Sequence, residues 1–191
     1  METVRFSVLV PTMGRLSLTD TLRSIIQQPL MPGDEVLVIG DLNHGCNPGR
    51  DIMNEFGPQF FYYSCGGAKN AWGGPQRNLG LTVAKGSWLT YMDDDDLMAP
   101  YTLEIMRGLC ANHTDRPIMT RMRWPDGKAL ESMVGGQCLW VPNVPYKVGF
   151  FGNEYCGDQT WIETTMSKYQ PKKPLSVEVI TCLYSGQHRE G

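Results

Sequence analysis

The run Gly86-Ser87-Trp88-Leu89-Thr90-Tyr91-Met92-Asp93-Asp94-Asp95-Asp96-Leu97 constrains this chain more than any other stretch. Its apolar and aromatic part reads as a buried strand, and that strand ends abruptly in four consecutive carboxylates. Four like charges at one strand tip are electrostatically expensive unless something positive sits among them. A bound Mg²⁺ or Mn²⁺ is the simplest remedy. Such hard cations take oxygen ligands and keep positions for water or substrate phosphates, so one or two of the aspartates suffice as protein ligands. The competing reading is a solvated acidic turn in which Asp95 or Asp96 caps a helix beginning near Pro100. A cap accounts for one aspartate, not for four.

The preceding residues supply the frame for that strand. Residues 5–10 form a β-branched and apolar run stopped by Pro11, which predicts a central strand. After the loop Pro11-Thr12-Met13-Gly14-Arg15, the residues Leu18, Leu22, Ile25 and Ile26 recur at helical spacing, and Pro29 and Pro32 end that helix. Residues 35–39 are a second buried strand terminating in Gly40-Asp41, so the first forty residues make a βαβ unit. Residues 42–50 read as a loop and residues 60–63 as a third strand. A Gly-rich loop follows at 65–74, where Lys69 is a weak signal of phosphate contact. Pro75 opens a helix carrying Leu79, Val83 and Ala84, and Gly86 is expected to close it. Parallel strands alternating with helices predict an α/β fold whose ligands sit outside the carboxyl ends of the strands, around Thr12, Asp41 and Asp93 to Asp96.

The second half has a different character. Residues 100–110 predict an amphipathic helix, 118–124 and 129–134 a hairpin about Pro125-Asp126-Gly127-Lys128, and 137–141 a further strand. Residues 157–168 predict a helix with Trp161, Ile162 and Thr165 on its inner face, and 175–183 a last strand. Arg121 and Arg123, two apart, are expected to share a strand face beside Trp124, which could stack on a sugar or a nucleobase.

Composition narrows the classes. With 191 residues, 41% hydrophobic and 19% charged, the chain suits one well-buried domain. A net charge of -3, from 17 Lys+Arg against 20 Asp+Glu, gives no general drive toward nucleic acid or anionic membrane. The six cysteines show no zinc-type spacing, no apolar run is long enough for a membrane span, and Met1 to Arg5 lead straight into the first strand without a signal peptide. A reducing, cytoplasmic setting is expected.

With these motifs in place, the chain resembles the family 2 glycosyltransferases with the GT-A fold. The resemblance is carried by Val8-Leu9-Val10-Pro11-Thr12-Met13-Gly14-Arg15, by Val38-Ile39-Gly40-Asp41, by Arg77-Asn78-Leu79-Gly80 with Ala84-Lys85-Gly86, and by Met92-Asp93-Asp94-Asp95-Asp96, in that order. It implies a single domain over 1–191, with a nucleotide-sugar half in 1–100 and an acceptor half in 101–191. It further implies an α/β architecture with a mostly parallel, Rossmann-like sheet flanked by helices and a smaller antiparallel hairpin region in the second half. Pro11, Thr12, Arg15 and Asp41 would border the nucleotide, with Asp93 and Asp94 beside it and Asp93 at the ribose. Asp95 would bind Mn²⁺ or Mg²⁺ bridging the diphosphate of a UDP-sugar, and Arg77 would lie near the diphosphate or brace the aspartates. Asp158, in Gly157-Asp158-Gln159, stands where the family has its general base, although the preceding Glu of the usual pair is missing. His188, in Tyr184-Ser185-Gly186-Gln187-His188, fits a family position that completes the metal site.

The implied reaction is an inverting, non-processive transfer to a hydroxyl of a glycan, a protein or a modified nucleic-acid base. The Gln-x-x-Arg-Trp motif of processive synthases is absent, since Thr120 stands where its Gln would be. Two other readings remain open at this level: a sugar nucleotidyltransferase, and a carbohydrate or nucleotide-sugar binding module without turnover.

Overall fold

The computed structural model describes residues 3–42, 51–66, 72–124 and 135–184. Among the described residues, eight strands form one sheet: β1 Phe6–Thr12, β2 Glu35–Asp41, β3 Phe60–Cys65, β4 Trp88–Tyr91, β5 Asp96–Met98, β6 Ile118–Arg123, β7 Leu139–Pro142 and β8 Leu175–Tyr184. Their spatial order is β3-β2-β1-β4-β7-β6-β8-β5. The first four are mutually parallel; β7 runs antiparallel between β4 and β6, β8 lies parallel to β6, and β5 closes the far edge antiparallel to β8. This is the expected mixed α/β architecture with a mostly parallel first half.

Among the described residues, four α-helices cover the sheet: α1 Leu18–Ile26, α2 Gly74–Val83, α3 Thr102–Asn112 and α4 Gly157–Ser167. The period of two along β1 decides which side receives which helix. Phe6, Val8 and Val10 pack with Leu18, Leu22 and Ile25 of α1 and with Leu103 and Met106 of α3. Leu9 faces the other way, into the cluster of Leu37, Ile39, Tyr91, Phe151 and Trp161, against which Leu79 and Val83 of α2 and Ile162 of α4 also rest.

Several local expectations change in the folded chain. Pro11 does not stop β1, which continues to Thr12 with Pro11 opposite Ile39 of β2. The carbonyls of Arg5 and Leu9 point to β4, so the nitrogen of Pro11 points the same way, past the end of the β1–β4 ladder. Its missing N–H therefore removes no ladder hydrogen bond. Gly86 does not close α2, which ends at Val83. It lies against β1, where a Cβ would stand 2.5 Å from the nitrogen of Ser7. Neither Asp95 nor Asp96 caps a helix, because β5 intervenes and α3 begins after Tyr101. The strand expected at 137–141 starts at Leu139, preceded by a 3-10 turn over Gly136–Cys138. β6 is present as expected; the second arm of its proposed hairpin lies outside the described residues.

Candidate active site

The chain leaves β1 toward β2 and β3 on one side and returns to β4 on the other, with α1 and α2 on opposite faces. The carboxyl ends of β1 and β4 thus diverge, and the crevice at such a switch point is where α/β sheets bind ligands. Thr12 ends β1, and Asp93, Asp94 and Asp95 follow β4 directly.

Each aspartate has its own partners. Asp94, 4% exposed, accepts from the Thr12 hydroxyl at 2.7 Å and the Met13 amide at 3.2 Å, and from Arg15 Nη1 at 3.1 Å. Burial pushes its carboxyl above the usual range, while the Thr12 hydrogen bond and the Arg15 charge pull against that rise. The same Arg15 nitrogen lies 2.6 Å from Asp95 Oδ2, so one guanidinium serves two adjacent carboxylates. Asp93 forms an ion pair with Arg77 and accepts from Gln137 Nε2 at 2.7 Å. Gln137 Nε2 also reaches Asp96 Oδ2 at 3.0 Å, and the main-chain carbonyl of Asp96 accepts from Thr21 in α1. The charge problem of four consecutive aspartates is met by two arginines and a bridging amide.

Arg77 is not a helix-surface charge. Its side chain is 11% exposed, with the guanidinium 4.6 Å from the ring centre of Tyr91 and 5.5 Å from that of Phe151. Burial works most strongly against its charge, but Asp93, Tyr91 and Asp158 together outweigh burial, with Asp93 first among them, and hold its pKa above the ordinary value. Burial also raises the Tyr91 phenol well above its usual range, reinforced by Asp93. The neighbouring Asn78 clamps the main chain of Phe151, accepting its amide at 2.8 Å and donating to its carbonyl at 2.9 Å. Gly80 completes the set: a Cβ there would come within 3.0 Å of Leu9. Arg77-Asn78-Leu79-Gly80 is therefore a bracing segment that fixes α2 to the aspartates, to Phe151 and to β1.

Asp158 stands in the first turn of α4 and joins the same neighbourhood from the second half of the chain. Its Oδ2 accepts the Gly136 amide at 3.1 Å and its Oδ1 the Gln159 amide at 2.9 Å. Gly136 adjoins Gln137, so Asp158 connects through one residue to Asp93. Space there is tight, since a Cβ on Gly136 would lie 2.4 Å from the Tyr91 hydroxyl oxygen.

The structure brings Thr12, Arg15, Arg77, Asp93, Asp94, Asp95 and Asp158 around one crevice. Pro11 is buried in β1 beside them. Asp41 stands at the same edge of the sheet, half-buried at the end of β2 and opposite Cys65 of β3. His188 and Lys69 lie outside the described residues. Gln137 is the residue that sequence reasoning misplaced: it reads as part of a strand on the acceptor side, 44 positions from the carboxylate it contacts. No local motif marks it.

The donor set fits a hard divalent cation. Among the described residues, no three His, Cys, Asp or Glu side chains converge on a single metal position. Zinc needs three or four protein ligands, whereas Mg²⁺ or Mn²⁺ can be held by one or two carboxylates, phosphate oxygens and water. Asp95 already faces a cationic group, and the Arg15 side chain in contact with it is 42% exposed. Among the described residues, no helix is long and apolar enough to cross a membrane.

Comparison with known proteins agrees with this geometry. No curated protein matches the chain. Among solved structures, TarS 1-349 of S. aureus in complex with UDP-GlcNAc superposes with a TM-score of 0.78 at 20% identity, covering 98% of this chain and 59% of that one. The same protein in complex with UDP gives 0.75 at 19% identity, over 94% and 60% of the two chains. S. aureus TarS itself gives 0.76 at 18% identity, over 95% of this chain and 36% of that one. The chain thus spans from about a third to three fifths of the length of these structures, and at such identities the likeness is one of fold. The family model for glycosyl transferase family 2 matches residues 7–151, which contain the Thr12 loop, the bracing helix, the aspartates and Gln137; the chain belongs to that family.

Proposed function

We propose that this protein transfers a sugar from a UDP-sugar to an acceptor hydroxyl by a single, inverting displacement that depends on a divalent cation. The observation that carries the reading is the switch-point crevice. Four aspartates there are organised by Arg15, Arg77 and Gln137, and the carboxylate of Asp158 stands one residue away from that network. The UDP and UDP-GlcNAc complexes of the structurally similar TarS support the choice of nucleotide.

Thr12, Pro11 and Asp41 border the nucleoside, and Asp93 the ribose. Asp95 would hold Mn²⁺ or Mg²⁺, with His188 a further candidate ligand, and the cation would supply positive charge for the departing diphosphate. Arg77 keeps Asp93 in place, because its guanidinium is held against the Tyr91 and Phe151 rings. Arg15 leaves Asp95 when the donor binds and offers its charge to the phosphates.

In the reaction the acceptor oxygen bonds to the anomeric carbon, and the bond from that carbon to the diphosphate oxygen breaks with its electron pair. The hydroxyl proton passes to Asp158. Two main-chain amides orient that carboxylate and leave the rest of its roughly four lone-pair positions open to the acceptor. Attack opposite the leaving group inverts the anomeric centre. The chain acts as one catalytic domain, with the donor over the first hundred residues and the acceptor mainly over the remainder.

Calorimetric titration with UDP, with and without Mn²⁺, tests the core of this reading. Binding that requires Mn²⁺ and disappears in Asp95→Ala is the expected result. Equal binding without metal, or no UDP binding at all, refutes it.

A further inference from the structure

Two exposed aromatic side chains joined to the aspartate network through Arg77 and the start of α4 are left unused by the donor chemistry. Trp72 is 60% exposed and Tyr155 73% exposed, and their rings meet edge to face with centroids 5.1 Å apart. Aromatic groups of this size are usually covered, so an exposed pair leaves a large apolar surface in water. The backbone beneath them is also unusual. Trp72 has φ of +48° and Cys156, next to Tyr155, has φ of +67°, a conformation that bulky residues hold only where their surroundings impose it.

Those surroundings are visible. The Trp72 carbonyl accepts from Arg77 Nη1 at 2.7 Å, on the arginine that braces Asp93. Tyr155 precedes Asp158 by three residues. The helices that follow the two aromatics begin against the same main-chain atom, since a Cβ on Gly74 or on Gly157 would lie 2.3 or 2.4 Å from the Gly152 carbonyl oxygen. The aromatic pair is thus anchored to a single point of the backbone, beside the general base.

We propose that Trp72 and Tyr155 form the stacking platform of the acceptor, and that the acceptor presents a neutral sugar ring there. This assignment rests on the glycosyltransferase reading above. The C–H face of a pyranose packs on an indole or phenol ring, and its hydroxyls can donate to nearby carboxylates. Carboxylates are what the chain on either side of Tyr155 provides: Glu154 immediately before it and Asp158 three residues after it. Glu154 is already oriented by the Thr160 hydroxyl at 2.6 Å. A nucleic acid would bring phosphates against these same charges, so the electrostatics select an uncharged, hydroxyl-rich partner.

An array carrying neutral, sulfated and phosphorylated glycans, probed with the full chain in the presence of UDP and Mn²⁺, tests the assignment. UDP affinity is measured in parallel by calorimetry. The wild-type chain is expected to retain neutral glycans. Trp72→Ala and Tyr155→Ala should each weaken that retention by about tenfold, Trp72→Phe should keep most of it, and UDP affinity should be unchanged in all three. Three results overturn the proposal: no neutral glycan retained by a chain that binds UDP, retention confined to anionic glycans, or neutral retention unaffected by both alanine variants. A wild-type chain that does not bind UDP removes the glycosyltransferase reading, and the acceptor assignment falls with it.

Discussion

Replacing Arg77 with methionine tests whether the bracing segment organises the aspartates. Methionine keeps most of the apolar stem and removes the guanidinium. Three contacts disappear: the ion pair with Asp93, the hydrogen bond to the Trp72 carbonyl and the packing of the guanidinium against the Tyr91 and Phe151 rings. Both partners of the ion pair are largely buried, with side-chain exposures of 11% and 19%. Breaking a buried pair from one side costs about 3–5 kcal/mol, because the remaining charge is left without its counter-ion. Gln137 still donates to Asp93, which favours the lower end of that range. For a chain of this length each kcal/mol moves the thermal midpoint by roughly 2–4 °C, so Arg77→Met should melt about 6–12 °C lower. Urea unfolding followed by circular dichroism measures the same loss at 25 °C. In a double-mutant cycle with Asp93→Asn, the second substitution should cost much less on the Arg77→Met background, with a coupling of roughly 1–3 kcal/mol. Glu178→Ala provides the contrast. It removes the Arg121 ion pair whose acidic partner is 83% exposed, and should change stability by less than about 1 kcal/mol. A loss below about 1 kcal/mol for Arg77→Met, or additivity with Asp93→Asn, would show that Arg77 is not the brace.

Asp158→Asn should lower turnover by about a hundred- to ten-thousand-fold while leaving UDP affinity intact; unchanged turnover removes Asp158 as the base. Gly86→Ala drives a Cβ to within 2.5 Å of the Ser7 nitrogen and 2.6 Å of the Phe6 carbonyl carbon, both in the central strand, and should cost about 1–3 kcal/mol. Gly57→Ala, with nothing within 4 Å of the new methyl, should leave the unfolding midpoint almost unmoved, so equal behaviour of the two variants would refute the close approach. On the surface, the Lys172 hydrogen bond, aided by Arg116, holds the Asp115 carboxyl down at about 2. A depressed carboxylate stabilises the fold above its unfolded pKa and loses that contribution as pH falls through the folded value. Lys172→Ala should therefore unfold more easily than wild type at pH 6, with the difference shrinking as pH falls from about 4 toward 2, and a difference that does not shrink over that range contradicts the assignment.

The sequence by itself determined the parallel first half of this protein. In β1, β2 and β4 the buried runs are local, the turn residues that bound them are local, and the ends of parallel strands must lie at one edge of the sheet. Thr12, Asp41 and the aspartates could therefore be placed on a common crevice from their chain positions alone. Two local signals were nevertheless ambiguous. Pro11 can remain in a strand only because β4 diverges from β1 beyond Leu9, and Gly86 serves close strand packing instead of ending a helix. Both outcomes depend on what lies alongside, which a one-dimensional pattern does not specify.

Tertiary structure alone decided how the acidic cluster is neutralised. β7 pairs antiparallel with β4, with Leu89 opposite Val141. Continued past the ends of both strands, that register sets Asp93 opposite Gln137 and brings the Gly136–Cys138 turn to the mouth of the crevice. No spacing in the sequence encodes this pairing, because register between distant strands follows from the packing of both faces of the sheet. The same holds for Arg77, whose helix periodicity permits either solvent or core. The rings of Tyr91 and Phe151, supplied by β4 and by the segment before α4, turn it inward. Local hydrophobic pattern fixes which elements form and which ends carry charge; the contacts that hold those charges in working positions come from residues far apart in the chain.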